Sequence, residues 1–414
     1  MHKRPIFGDN QLMTTIFHNY SASESDEHCD DLGEKLAQEQ RFAYNTLPFV
    51  FELLDTFSLM RCGQVCKLWH DLVCDWRLWR SIELYGCKVS FPKMMNAYKD
   101  RSIVALKLID CKLKKQGPKD NLWEFLGGNR ELKVLEVSDC PSQLIKMLPN
   151  QNRCLETVRV SLVCCATGMK LNLDLIFLLP RLLELKLYCN RELDNFHGLF
   201  GNLGNLRHLY LLGVKNLDLQ LLHTVQIPKS CRLESLGLGD CQLLANSFGQ
   251  FLQALPALKR LRLERCSEWQ AFVVLESISK CAQLETLELL DFNINKQFEI
   301  GLRLCTNLKQ LTVIPNPHRF QMGAFNARVF RGSCGLKRTL KKFTWGFSRK
   351  YMDYFFRMYK TVNRVPFSDG DEISNASELI LLEDLEDRLQ AEMKATQIVV
   401  TTSITSGDVF SIRP

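Results

Sequence analysis

The sequence predicts an α/β solenoid: a right-handed stack of repeats, with one short parallel strand each lining a concave face and helices returning along a convex face. Three observations predict it. A frame of the form L-x-x-L-x-L-x-x-C recurs at Leu258–Cys266, Leu233–Cys241, Leu132–Cys140 and, with isoleucine first, Ile103–Cys111. Weaker copies start at Leu155, Leu182, Leu206, Leu284 and Leu308, so the starts step by 23 to 29 residues. A fixed period in that range is the mark of a repeat architecture. The x-L-x-L-x tail of each frame alternates apolar and polar residues with period two, as in a half-buried strand.

One such repeat cannot bury its own apolar face, so neighbours share their stability. The residues between frames must carry the chain back, and Leu221–Val225 and Phe272–Ile278 have the helical spacing to do so. The repeats resemble the cysteine-containing type of leucine-rich repeat. Cys111, Cys140, Cys241 and Cys266 close their frames, and Cys154, Cys231, Cys281 and Cys305 fall one to three residues before the next frame.

Residues 1–41 read as a disordered acidic tail. Ser21–Asp31 is polar and acidic and offers too little apolar area to offset the entropy of ordering. Residues 42–87 read as a helical module dense in large apolar residues. Val65, Leu68, Trp69 and Leu72 share one helical face. The segment is too short for a well-filled core of its own and must lean on the solenoid or on a partner.

Leu47-Pro48, Val65-Cys66, Trp69 and Leu78-Trp79 give this module a resemblance to an F-box over about forty residues. From Leu47-Pro48 to Trp69 the chain is roughly five residues shorter than is usual in that family. Two alignments follow. Either Leu47-Pro48 keeps its place and the middle is shortened, or Val50-Phe51 takes the place of the apolar-Phe pair. In the second, which we prefer, Leu54 and Leu59 fill later leucine positions and the register to Trp69 is gap-free. The resemblance implies binding of a Skp-type adaptor, and through it a cullin scaffold and a RING subunit. Leu47, Pro48, Val50, Phe51, Leu54, Leu59, Val65 and Trp69 are the expected contacts. Trp79–Cys87 already fits the repeat frame, so the module runs into the solenoid without a linker, as in F-box leucine-rich-repeat proteins.

The solenoid is expected over residues 88–345, with Leu340–Trp345 as a final irregular strand. A cap and tail follow over 346–414. There, Leu379, Leu382, Leu385 and Leu389 form an apolar stripe on a helix that either folds back on the solenoid or pairs with a partner, and folding back is preferred. Gln397–Thr405 is β-prone and is a strand or a tail.

Seventeen cysteines would fit a disulfide framework in a small secreted domain. Here the repeat positions account for many of them as small buried apolar groups, which favours reduced thiols and an intracellular protein of cytoplasm or nucleus. Cys62, Cys66, His70 and Cys74 have helical spacing but lie in the F-box-like stretch, so no metal is expected there. No phosphate loop, nucleophile elbow or zinc-protease histidine pair is present, and no catalytic residues or cofactor are expected. The net charge of +7 is diffuse, and no nucleic-acid partner is expected. No run of eighteen apolar residues occurs, and no membrane partner is expected.

A binding surface for a protein target is expected instead. Lys186, Tyr188, Tyr210, Arg260 and Arg262 occupy outward strand positions and form the candidate cluster, suited to an acidic or phosphorylated segment. Gly237 and Gly239 are expected to leave a bare floor beside Arg260 and Arg262. The competing reading is that these are ordinary solvated sheet residues.

Overall fold

The computed structural model describes residues 45–90, 102–113, 122–140, 142–162, 170–190, 192–194, 205–214, 217–218, 227, 231–243, 245–267, 270–292, 294, 297–315, 322–347 and 382–401. The chain divides into two compact units, Met1–Cys165 with Leu178–Leu182, and Ala166–Phe177 with Leu183–Pro414.

Among its described residues the first unit starts with three short helices: α1 (45–51), α2 (Thr56–Cys62) and α3 (Lys67–Val73). Asp55 caps α2, its carboxylate accepting from the amides of Phe57 and Ser58 at 2.9 Å. A 3-10 turn at Trp76–Trp79 leads into the first strand, and the Trp79 indole donates to the Val73 carbonyl at 2.6 Å. Four main strands follow, β1 (Ser81–Tyr85), β2 (Ala105–Ile109), β3 (Val134–Cys140) and β4 (Thr157–Leu162), each parallel to the next. Helices α4 (Leu122–Gly128) and α5 (Gln143–Gln151) connect successive strands.

In the second unit the main strands are β5 (Glu184–Tyr188), β6 (His208–Leu212), β7 (Ser235–Gly239) and β8 (Arg260–Glu264). They continue as β9 (Thr286–Phe292), β10 (Gln310–Pro315), β11 (Lys342–Gly346) and β12 (Gln397–Thr401). All pair in parallel. From β7 on the connections are helical: α6 (Ala245–Gln253), α7 (Ala271–Ser279), α8 (Phe298–Leu304) and α9 (Met322–Cys334), then α10 (Leu382–Glu392) before β12.

Each strand whose frame was read from sequence starts two residues after the frame's first residue. The frame leucines point inward: Leu106, Leu135, Leu185, Leu236 and Leu287 are fully buried. Phe272–Ile278 lies in α7 as its spacing predicts, whereas Leu221–Val225 lies outside the described residues.

The C-terminal part departs from expectation in two respects. β11 is regular rather than irregular, and it is not the last strand. Lys342–Gly346 pairs in register with Gln397–Thr401, so the β-prone stretch is a strand. The leucine-striped helix folds back, with Leu389 and Met393 buried. Thr396 ties the turn between α10 and β12 to the Leu340 carbonyl at 2.7 Å.

Candidate functional site

The helical module separates its apolar residues into two sets. Phe51 (1% exposed), Leu59 (3%), Met60, Leu72, Val73 and Trp79 fill its interior. The Phe51 ring meets Trp69 edge-on at 5.3 Å, and Trp69 is half-buried. The module is anchored to the first strand, because the Thr56 hydroxyl accepts from the Glu83 amide at 2.9 Å. On the outside stand Phe49, Val50, Leu53 (86% exposed), Val65 (63%) and Trp76. So many large apolar side chains in water on about thirty residues is unusual for a surface with no partner.

The outward face of the first unit's sheet is electrostatically closed. Across β1–β4 the register brings Glu83, Lys107, Glu136 and Arg159 side by side. Glu83 pairs with Lys107, and Glu136 with Arg159 at 3.3 Å.

The outward face of the second unit is more varied. Lys186, Tyr210, Gly237, Arg262 and Glu288 form one cross-strand row. The Lys186 ammonium lies 4.9 Å from the centre of the Tyr210 ring, in cation–π geometry, and 3.3 Å from the Glu184 carboxylate. The ring covers Gly237: a Cβ there would stand 2.3 Å from Tyr210 Cδ1. The glycine therefore leaves no bare floor. It leaves room for an aromatic ring from the neighbouring strand. Burial pushes the Tyr210 phenol up and the His208 imidazole down, and His208 Nδ1 sits 3.0 Å from Ser235 Oγ. Arg262 (6% exposed) is held between Glu264 at 3.0 Å and Glu288 at 3.4 Å. Arg265 bridges Asp240 at 2.7 Å and Glu264, which raises its pKa further.

Comparison with known proteins decides what the helical module resembles. Residues 46–85 match the F-box-like family. A plant peptide hormone receptor, RGFR1 in complex with RGF2, is similar over 78% of this chain, at 13% identity and a TM-score of 0.25. This chain spans 55% of that receptor chain. The chain carries an F-box-like module followed by parallel strands whose leucines point inward.

Within the F-box-like module, the eight residues expected at the adaptor do not share one environment. Val50 and Val65 are exposed; Leu47, Pro48, Leu54 and Trp69 are half-buried; Phe51 and Leu59 are core. Phe49, Leu53 and Trp76 are exposed apolar residues of the same module that were not among the expected contacts. Of the five expected target contacts, Arg260 is exposed, Lys186, Tyr188 and Tyr210 are half-buried, and Arg262 is enclosed by carboxylates. The Arg262–Glu264–Arg265–Asp240 network was not foreseen. Its signal was Arg265 standing where other frames have aspartate. His70 Nδ1 and Cys74 Sγ are 3.9 Å apart, and among the described residues no three potential ligands converge on a metal position. Among the same residues, no helix is long and apolar enough to cross a membrane.

Proposed function

We propose that this chain is the substrate-recognition subunit of a Skp–cullin–F-box ubiquitin ligase. Residues 42–87 hold a Skp-type adaptor, which links the chain to a cullin scaffold and a RING subunit. Residues 88–345 hold a protein target. The transfer of ubiquitin to lysine belongs to other subunits, and this chain contributes proximity. One observation carries the adaptor half of this reading: the F-box-like module leaves Phe49, Val50, Leu53, Val65 and Trp76 in water while its core is already filled. Removing such side chains from water on binding is worth roughly 1.5–3 kcal/mol each.

The test is saturable binding of purified Skp-type adaptor by the full chain, beside a Leu53→Asp/Val65→Asp variant. Adaptor binding should weaken by at least about a hundredfold, the effect of losing two buried apolar contacts. The urea midpoint should hardly move, since both side chains are already solvated. Failure of the native chain to bind would favour a second reading, a scaffold that binds a protein without any ligase. The observation behind that alternative is the packing of Phe51 and Leu59 inside the module and its bond to the first strand through Thr56, as in a terminal cap.

A further inference from the structure

We infer that the target-binding strip of the second unit is the row Arg260, Thr286, Gln310 and Lys342, and that its occupant is an extended peptide segment with two anionic side chains four residues apart. The inference rests on the reading of this chain as a receptor for a protein target.

The register places these four side chains on adjacent strands, β8 to β11, on the same outward face. Arg260, Gln310 and Lys342 are exposed and Thr286 is half-buried. Most other cations of this sheet are already matched. Lys186 meets Glu184, Arg262 meets Glu264 and Glu288, Lys259 meets Glu234, and Lys309 meets Glu285. Arg260 and Lys342 have no ion-pair partner among the described residues, and the exposed Lys341 beside Lys342, which acts on Glu285 together with Lys309 and Lys259, adds a further positive charge. The carboxylates that flank the strip, Glu285 and Glu288, are themselves engaged, so an incoming anion meets net positive charge there.

Geometry then sets the ligand. Three steps between neighbouring strands separate Arg260 from Lys342 by about 14 Å. A peptide laid across the strands rises about 3.3 Å per residue, so two anions about four residues apart reach both cations. An even spacing also keeps both side chains on the same face of an extended peptide. Between the cations, the Thr286 hydroxyl and the Gln310 amide both donate and accept, which suits a peptide backbone. A carboxylate or a phosphate satisfies the same two charges.

The test is an array of immobilised nonapeptides with paired glutamates or paired phosphoserines at spacings of one to six residues, probed with the purified full chain. Retention should peak at a spacing of four, exceed that at three and five, and fall as salt screens the charges. Comparison of the two series tells carboxylate from phosphate recognition. In Arg260→Ala/Lys342→Ala the peak should drop by about tenfold, from two exposed charge contacts. In Arg260→Glu/Lys342→Glu it should pass to paired lysines at the same spacing. A flat spacing profile, or a peak that survives both variants, overturns the strip. The same preparations are assayed for the adaptor. Adaptor binding with a flat profile removes the strip and leaves the receptor reading standing. A peak of four without adaptor binding removes the ligase and leaves the peptide surface.

Discussion

Asp139 stands at a turn of the chain that repeats along the molecule. Among the described residues, five non-glycine residues have positive φ: Asp110, Asp139, Asp240, Arg265 and Asp291, and Gly86 and Gly213 share the left-handed region. Each directly precedes the last residue of its frame, so one sharp turn recurs after the strand. Aspartate tolerates this conformation better than most side chains, and glycine better still. Asp139→Gly should therefore be neutral or stabilising by up to about 1 kcal/mol, and Asp139→Val should cost about 1–2 kcal/mol. Urea denaturation checks the order. Arg265 occupies the same place with an unsuitable side chain, and its pairs with Asp240 and Glu264 offset the strain.

The cysteines of the repeats follow a second residue-scale rule. Cys111 donates to the Leu84 carbonyl of the preceding strand at 3.3 Å, and the Cys241 and Cys266 sulfurs are 3.2 Å apart. Burial pushes the Cys140 thiol from 9.0 up to about 12, and Cys305 likewise to about 12. Both stay neutral in the folded chain above pH 9 while the unfolded chain ionises. Their contribution to stability is complete below pH 9 and is lost progressively between pH 9 and 12. The urea midpoint should fall from pH 8 to pH 10, and less steeply in a Cys140→Ala/Cys305→Ala chain.

At the scale of elements, the parallel helices of the second unit approach closely through small residues. A Cβ at Gly301 of α8 would stand 2.9 Å from Leu275 Cβ and 3.2 Å from the Phe272 backbone of α7. Helix propensity alone predicts that Gly301→Ala stabilises by about 1 kcal/mol. Packing predicts the opposite sign, a net loss of about 1–3 kcal/mol, because neither Leu275 Cβ nor the backbone can swing aside. Thermal and urea midpoints below those of the native chain decide for packing. The last strand follows the same logic of coverage. Phe343, Trp345 and Phe347 lie in a buried aromatic run with ring centres 5.9 and 5.7 Å apart. β12 and α10 return to this end of the sheet, and β12 extends it by one parallel strand beyond β11.

At the scale of the molecule, each unit distributes its stability among neighbouring repeats and has no single centre. That arrangement leaves the outward side chains free to vary without unfolding the chain. The first unit uses this freedom to neutralise itself, with Glu83, Lys107, Glu136 and Arg159 in alternation. The second leaves Arg260 and Lys342 unmatched among the described residues. The unchanged urea midpoint expected of Leu53→Asp/Val65→Asp belongs to this scale too, because the module's outer residues contribute no coverage to the repeats.

Strand positions, inward leucines and buried frame cysteines were legible in the sequence, because period-two alternation at a fixed repeat needs only local chemistry to be satisfied. The F-box-like stretch was legible in another way, through the resemblance to a known family carried by Val65-Cys66, Trp69 and Leu78-Trp79. The division of that stretch into core and surface was not, since Phe51 and Leu53 are equally apolar and only packing decides which one is enclosed. Nor was the fate of single charges. Arg260 and Arg262 are two residues apart on one strand and alike in sequence, yet Glu264 and Glu288 enclose one of them and not the other. Tyr210 covering Gly237 is a meeting of neighbouring strands. The sequence by itself determined which residues alternate and where the repeats begin. Tertiary structure alone decided which side chains meet across strands, because those contacts depend on register between segments more than twenty residues apart.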